Sequence, residues 1–464
     1  MTEGTLSATD IIPVSRLDMR TQRMLDAPVV PLLIRLAFPN VLIMLAQAST
    51  GLIETWWVSR LGTNALAGMA LVFPAVMLMT TISAGALGGS ISSAVARALG
   101  AGRRDDADAL VIHAVAVNLL FGIAFSILFL LLGDPIYRML GGTGGELEAA
   151  LIYSTVVFTG NSFVWLMNGL ASVIRGTGNM AYPAIVTCVG VLFLIPVSPL
   201  LIFGFGSIPG FGIAGGGLAL IAYYVVGTVA MAWYIWAERT PVRFRWARLR
   251  WTLLSGVLRI GGLSAVNSIL SNVIIAGTTA LVASVAGVAA VAGFGTGVRL
   301  EYLLIPLIFG IGAPMVALVG TNIGAGQIAR ARHIALTGAG LAFIVTEAIG
   351  LTAAFFPTAW MRLFTHDAVA VVVGSTYLQT AGPFYGFFGL GLSLYFASQG
   401  AGRLFWPIVA GFARFSIAIG AGALVLHLGY SMTMLFVVIA ASLFAYGAII
   451  LIAVRFGRWL ACSR

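Results

Sequence analysis

The chain has 464 residues, 60% of them hydrophobic and only 9% charged, with a formal net charge of +10 and a mean hydropathy of +1.04. A soluble domain carries roughly 25% charged residues, so most side chains here must meet lipid, which excludes a soluble globular protein. The basic residues are all arginine and sit in short loops between apolar runs; a nucleic-acid interface would gather them on one face or arm.

Residues 1–28 are polar, carry Arg16, Arg20 and Arg23, and lack the apolar core of a cleavable signal peptide. They read as a cytoplasmic tail. Apolar runs of spanning length then follow at 29–57, 65–96, 109–132, 149–174, 182–205 and 213–237. A basic segment, 238–252, separates them from a second set at 253–284, 288–321, 333–356, 369–398, 404–426 and 431–453. A spanning helix needs about 20 apolar residues. The expected fold is therefore an all-α polytopic membrane protein of twelve transmembrane helices in two pseudo-symmetric six-helix lobes. Its parts are an N-lobe at 29–237, a cytoplasmic linker at 238–252, a C-lobe at 253–455 and a short tail at 456–464.

The duplication is carried by landmarks at a constant separation of 224 positions. Arg35 matches Arg259, Gly100-Ala101-Gly102 matches Gly324-Ala325-Gly326, and Arg138 matches Arg362. Gly176-x-Gly178-x-x-x-x-Pro183 matches Gly400-x-Gly402-x-x-x-x-Pro407. An even number of helices per half gives both halves the same orientation, with their repeat axis along the membrane normal and the substrate path between them. Arginine crowds the side of the termini and of the linker, while only Arg60, Arg138 and Arg362 fall in loops on the other side. That bias predicts cytoplasmic termini in a plasma (inner) membrane.

Enzyme and metal signatures are missing from this pattern. The histidines His113, His333, His366 and His427 are scattered, Cys188 and Cys462 form no framework, and there is no Walker motif. A twelve-helix duplication without a filter sequence favours a secondary transporter over a channel. No cofactor is expected beyond a coupling ion. The expected partners are the bilayer and a small-molecule substrate, with the chain acting as a monomer.

Several segments resemble the multidrug and toxic compound extrusion (MATE) family. They are Ala317-Leu-Val-Gly-Thr-Asn-Ile-Gly-Ala-Gly-Gln-Ile-Ala-Arg-Ala331, its N-lobe counterpart Ala94–Arg103, Arg175-Gly176-Thr-Gly178-Asn179, Ala37-Phe-Pro39 and Gly51–Ser59. The resemblance runs from about Pro31 to Arg455. It implies a V-shaped pair of lobes that exports drugs, organic cations above all, in exchange for Na⁺ or H⁺. The family's first-helix acid falls on Glu54, with Gln47 seven residues earlier on the same face. The fifth-helix Asn and Asp fall on about Leu194 and Ser198, the seventh-helix acid on about Asn272 and the tenth-helix acid on about Gly389. Half of the N-lobe site and the whole C-lobe ion site of the family are thus replaced.

Glu54, Glu301 and Glu347 are the acids inside apolar spans. An ionised group at mid-bilayer costs roughly 3 kcal/mol or more, so each needs a partner, a proton or water. Glu54 is either an interfacial residue near the outer end of its helix or the coupling carboxylate, with Gln47 beside it; one carboxylate is a poor cage for Na⁺, which favours H⁺. Arg299 is expected to pair with Glu347 as a structural ion pair, which leaves Glu301 free to face the cavity as a further ion-coupling candidate. Asn168, Asn272 and Tyr385 are candidates for the substrate cavity. Competing readings are a lipid-linked-oligosaccharide flippase, which would need several cavity cations, with Arg299 and Arg414 the interior candidates, and a non-transporting scaffold.

Overall fold

The computed structural model describes residues 18–206, 208–246 and 248–456; Arg16, Arg458, Arg464 and Cys462 lie outside them. Among the described residues ten helices are long and apolar enough to cross a membrane, a bent pair makes an eleventh span, and a second interrupted pair is consistent with a twelfth. The N-lobe holds α1 (Val29–Ser59), α2 (Thr63–Gly100), α3 (Arg104–Met139), α4 (Gly144–Thr159 with Asn161–Gly176), α5 (Ala181–Phe203) and α6 (Ile213–Trp236). The C-lobe holds α7 (Trp251–Val285), α8 (Val288–Gly324), α9 (Ile328–Phe355), α10 (Ala368–Ala381 with Tyr385–Ala401), α11 (Phe405–His427) and α12 (Met432–Arg455). Lipid-facing surfaces stay apolar, with Leu52, Leu131, Leu192 and Val229 all exposed, as expected where the solvent is hydrocarbon.

The repeat is visible in the helix ends. Gly100 and Gly324 end α2 and α8, Arg104 and Ile328 start α3 and α9, and Ala181 and Phe405 start α5 and α11; each pair is 224 positions apart. Gly102 and Gly326 have φ of +70° and +74°. In each case the glycine N–H bonds back into the last turn, from Gly102 to Leu99 and from Gly326 to Ile323. The glycine-alanine-glycine motif is therefore a left-handed helix stop, a conformation that glycine alone adopts without strain.

Four spans are not continuous α-helix. α4 bends by 47° at Gly160, where the Asn161 side chain leaves its own helix to donate to the Gly122 carbonyl of α3. α10 is interrupted at the matching place by a 3-10 turn, Gly382–Phe384, where Pro383 has no N–H to continue the ladder. π-helical segments occupy Thr81–Leu87 in α2 and Ser416–Ala421 in α11; such segments often mark functional positions.

The lobes meet at the end where α2 and α8 finish. A side chain on Gly100 would collide with the Thr321 carbonyl, and one on Gly324 with the Arg97 carbonyl. Because Arg97 and Thr321 are also 224 apart, this is one contact made twice about the pseudo-symmetry axis. Ser93 donates to the Gln399 and Gly400 carbonyls at 2.6 and 2.8 Å. A short amphipathic helix, Met19–Asp26, lies across this end. The Met24 side chain covers Gly178 of the N-lobe and its carbonyl accepts from Asn322 of the C-lobe. The linker folds onto α3: Arg243 N donates to Asp108 at 2.8 Å, Arg250 pairs with Asp106 at 2.5 Å, and His113 accepts from Arg250 N at 2.8 Å.

Candidate coupling and substrate sites

Glu54 lies five residues before the end of α1, roughly 8 Å along the helix axis. It is nevertheless 4% exposed, because it points into the N-lobe and away from the membrane surface. The Tyr153 hydroxyl of α4 donates to Glu54 Oε1 at 2.7 Å. Gly216 of α6 packs beside the carboxylate: a Cβ there would stand 3.5 Å from Oε1, in ordinary contact. No arginine pairs with Glu54 among the described residues. Gln47 is half-buried two turns away, and its amide makes no hydrogen bond among them. Ser198, about where the family resemblance implies a fifth-helix Asp, is buried with its hydroxyl unpartnered.

The C-lobe holds a second buried carboxylate. Glu301 of α8 accepts from Arg414 Nη2 of α11 at 2.6 Å, both side chains being 6% exposed. The Tyr377 hydroxyl of α10 donates to its other oxygen at 3.2 Å. The Arg414 guanidinium also lies over the rings of Phe388 and Tyr446, at 4.9 and 5.8 Å from their centroids. Tyr153 and Tyr377 are 224 positions apart. The same repeat tyrosine therefore holds an acid in each lobe, although the acids come from different helices.

This corrects the expected ion pair. Arg299 is exposed, with its guanidinium 5.7 Å from the Phe364 ring centroid, and it does not pair with Glu347. Residues 299 and 301 stand about 200° apart around one helix, so only one can face the lobe interior, and that one is Glu301. Glu347 has a different partner. It accepts from Gly386 N at 2.7 Å, in the first turn after the break in α10, where backbone N–H groups lack partners within the helix. A carboxylate there also meets the positive end of a helix dipole.

The proposed cavity residues are placed unevenly. Asn168 is buried and donates to Ser83 Oγ at 2.9 Å, tying α4 to the π segment of α2. Asn272 is exposed and donates to the Ser268 carbonyl of its own helix. Tyr385 is fully buried beside Tyr377. Tyr153 has no site role in the sequence, and Arg414 enters there only as an interior cation for the flippase reading. The repeat offset linking Tyr153 to Tyr377 was the signal that would have found the first.

Comparison with known proteins agrees with this architecture. The MatE family model matches twice, at residues 39–200 and 264–424, once in each lobe. A protein named FAD transporter from Shewanella oneidensis is 25% identical over 380 residues, covering 81% of this chain and 82% of that one. A probable multidrug resistance protein NorM from Thermotoga maritima is 25% identical over 386 residues, covering 82% of each. Among solved structures, a MATE transporter in the bent conformation superposes with a TM-score of 0.87 at 23% identity, over 95% of this chain and 98% of that one. An outward-facing MATE transporter superposes with a TM-score of 0.82, also at 23% identity and the same coverage. With both halves matched by one family model, the chain belongs to the multidrug and toxic compound extrusion family of membrane transporters.

Proposed function

We propose that the protein is an antiporter of the plasma (inner) membrane that exports organic compounds in exchange for H⁺, with Glu54 as the coupling carboxylate. The observation that carries this reading is a buried acid with a hydroxyl partner and no paired cation. Burying an unpaired charge is costly, so Glu54 is stable when it holds a proton or a cation. One carboxylate and one phenol supply few oxygens for Na⁺, which favours the proton. With the tails and the 238–252 linker cytoplasmic, as the arginine bias implies, the interlobe contact closes the inner side and the conformation is outward-facing. Release of the proton inside would accompany reopening there, in an alternating-access cycle.

For the cargo, the family resemblance implies an organic cation. A second reading, an organic anion, is favoured by an arginine between the lobes, and the Shewanella relative is named for FAD. The test of antiport is dye movement in proteoliposomes under an imposed ΔpH or ΔNa⁺. Transport driven by ΔpH alone, and lost in Glu54→Gln, is the expected result. Transport driven by ΔNa⁺, or undiminished in Glu54→Gln, refutes it.

A further inference from the structure

A small, partly open cavity of about 10 Å³ lies between the lobes, room for about one water. Its walls are repeat-equivalent: Gly89 and Ala313, Ser92 and Val316, Arg175 and Gln399 all line it, and each pair is 224 positions apart. The cavity therefore sits on the pseudo-symmetry axis, where a path between the lobes must pass. The two walls differ. At each pair the N-lobe residue is smaller, more polar or charged, and Phe309 and Phe396 complete the C-lobe wall.

Arg175 is the charged group in this lining. It is 6% exposed, and its Nη2 donates to Ser172 Oγ at 2.7 Å. No carboxylate pairs with it among the described residues, in contrast to Arg414. Ser92 is 4% exposed and its hydroxyl has no partner. Gln399 closes the hollow from the other lobe. Its Nε2 donates to the Gly85 carbonyl and to Ser264 Oγ at 3.2 and 2.9 Å, and a side chain on Gly89 would collide with it. When the lobes part at this end, Gln399 leaves with the C-lobe. The hollow it vacates is walled by glycine, an unpartnered hydroxyl and a guanidinium without a counter-charge.

We propose that this hollow is an anion subsite of the transport path, in which Arg175 and Ser92 take the carboxylate or phosphate of an aromatic-bearing organic anion while Phe309 and Phe396 face its apolar part. The guanidinium offers paired donors to a planar or tetrahedral oxyanion, and the glycine wall lets the group approach closely. The proposal rests on the transporter reading and names its cargo class. A structural role for Arg175 at the end of α4 predicts loss of stability without a change in ligand charge preference, so binding selectivity separates the two.

The test is fluorescence anisotropy of carboxyfluorescein and of rhodamine 6G with the full-length protein in nanodiscs, without any gradient. Carboxyfluorescein should bind saturably, about tenfold or more weakly to Arg175→Gln, with Arg175→Lys in between. Rhodamine 6G binding should not weaken in either variant. Ser92→Asp leaves the guanidinium in place and gives it an internal partner; it should abolish anion binding even if Arg175→Gln fails to fold. Absence of saturable carboxyfluorescein binding to the wild type, or equal affinity in Arg175→Gln or Ser92→Asp, overturns the proposal. These are equilibrium measurements, so their failure leaves proton antiport through Glu54 standing. Failure of ΔpH-driven transport in the wild type would remove antiport and leave the binding result intact.

Discussion

Each lobe buries one glutamate under the hydroxyl of the same repeat tyrosine, Tyr153 in the N-lobe and Tyr377 in the C-lobe. Only the C-lobe acid has a guanidinium against it. A buried ion pair balances its acid with a fixed cation, and removing one partner leaves a stranded charge. An acid without such a partner must be neutralised by something that comes and goes. The two centres thus share a scaffold and differ in charge balance: Glu301 with Arg414 ties α8 to α11, and the proposed antiport assigns the coupling ion to Glu54.

The largest effect is expected from breaking the C-lobe pair. Arg414→Met strands Glu301 and should lower stability by about 3–5 kcal/mol, read as thermal unfolding of purified protein. Adding Glu301→Leu to Arg414→Met should recover most of that loss. A single variant as stable as the wild type would show that the pair carries no weight. Next come the tyrosines. Tyr153→Phe and Tyr377→Phe each remove one hydrogen bond and should cost about 1 kcal/mol. They should differ in function: Tyr153→Phe changes the pH profile of transport and Tyr377→Phe leaves it unchanged. Identical profiles in both would erase the proposed asymmetry. The smallest effect belongs to Glu347→Gln, which weakens the cap on the second half of α10 by roughly 0.3–1 kcal/mol. It should leave ion dependence intact; a lost ion dependence with normal folding would move Glu347 into the coupling site.

The spans and the repeat were legible because both are written locally, in apolar runs and in glycine stops that recur at one offset. Glu54 as a candidate was legible through family resemblance. Its partner was missed for lack of a local signal: Gln47 shares its helix face, but the contact comes from Tyr153, ninety-nine positions away. The choice between Arg299 and Arg414 as an interior cation turned on which helix faces which. Both are single arginines in apolar runs, and only the packed lobe turns Arg414 inward and Arg299 outward. The break in α10 was marked by Gly382-Pro383. Its consequence, a set of free N–H groups that claims Glu347, required knowing that α9 lies beside it.

The division of labour is tested most directly by proton movement itself. In proteoliposomes with a pH-sensitive dye inside, cargo added on one side should drive protons across the membrane in the wild type. The charge-neutral double variant Glu301→Leu/Arg414→Met should do the same, and Glu54→Gln should not. Proton movement that survives Glu54→Gln and disappears in the double variant would contradict the account and place coupling in the C-lobe.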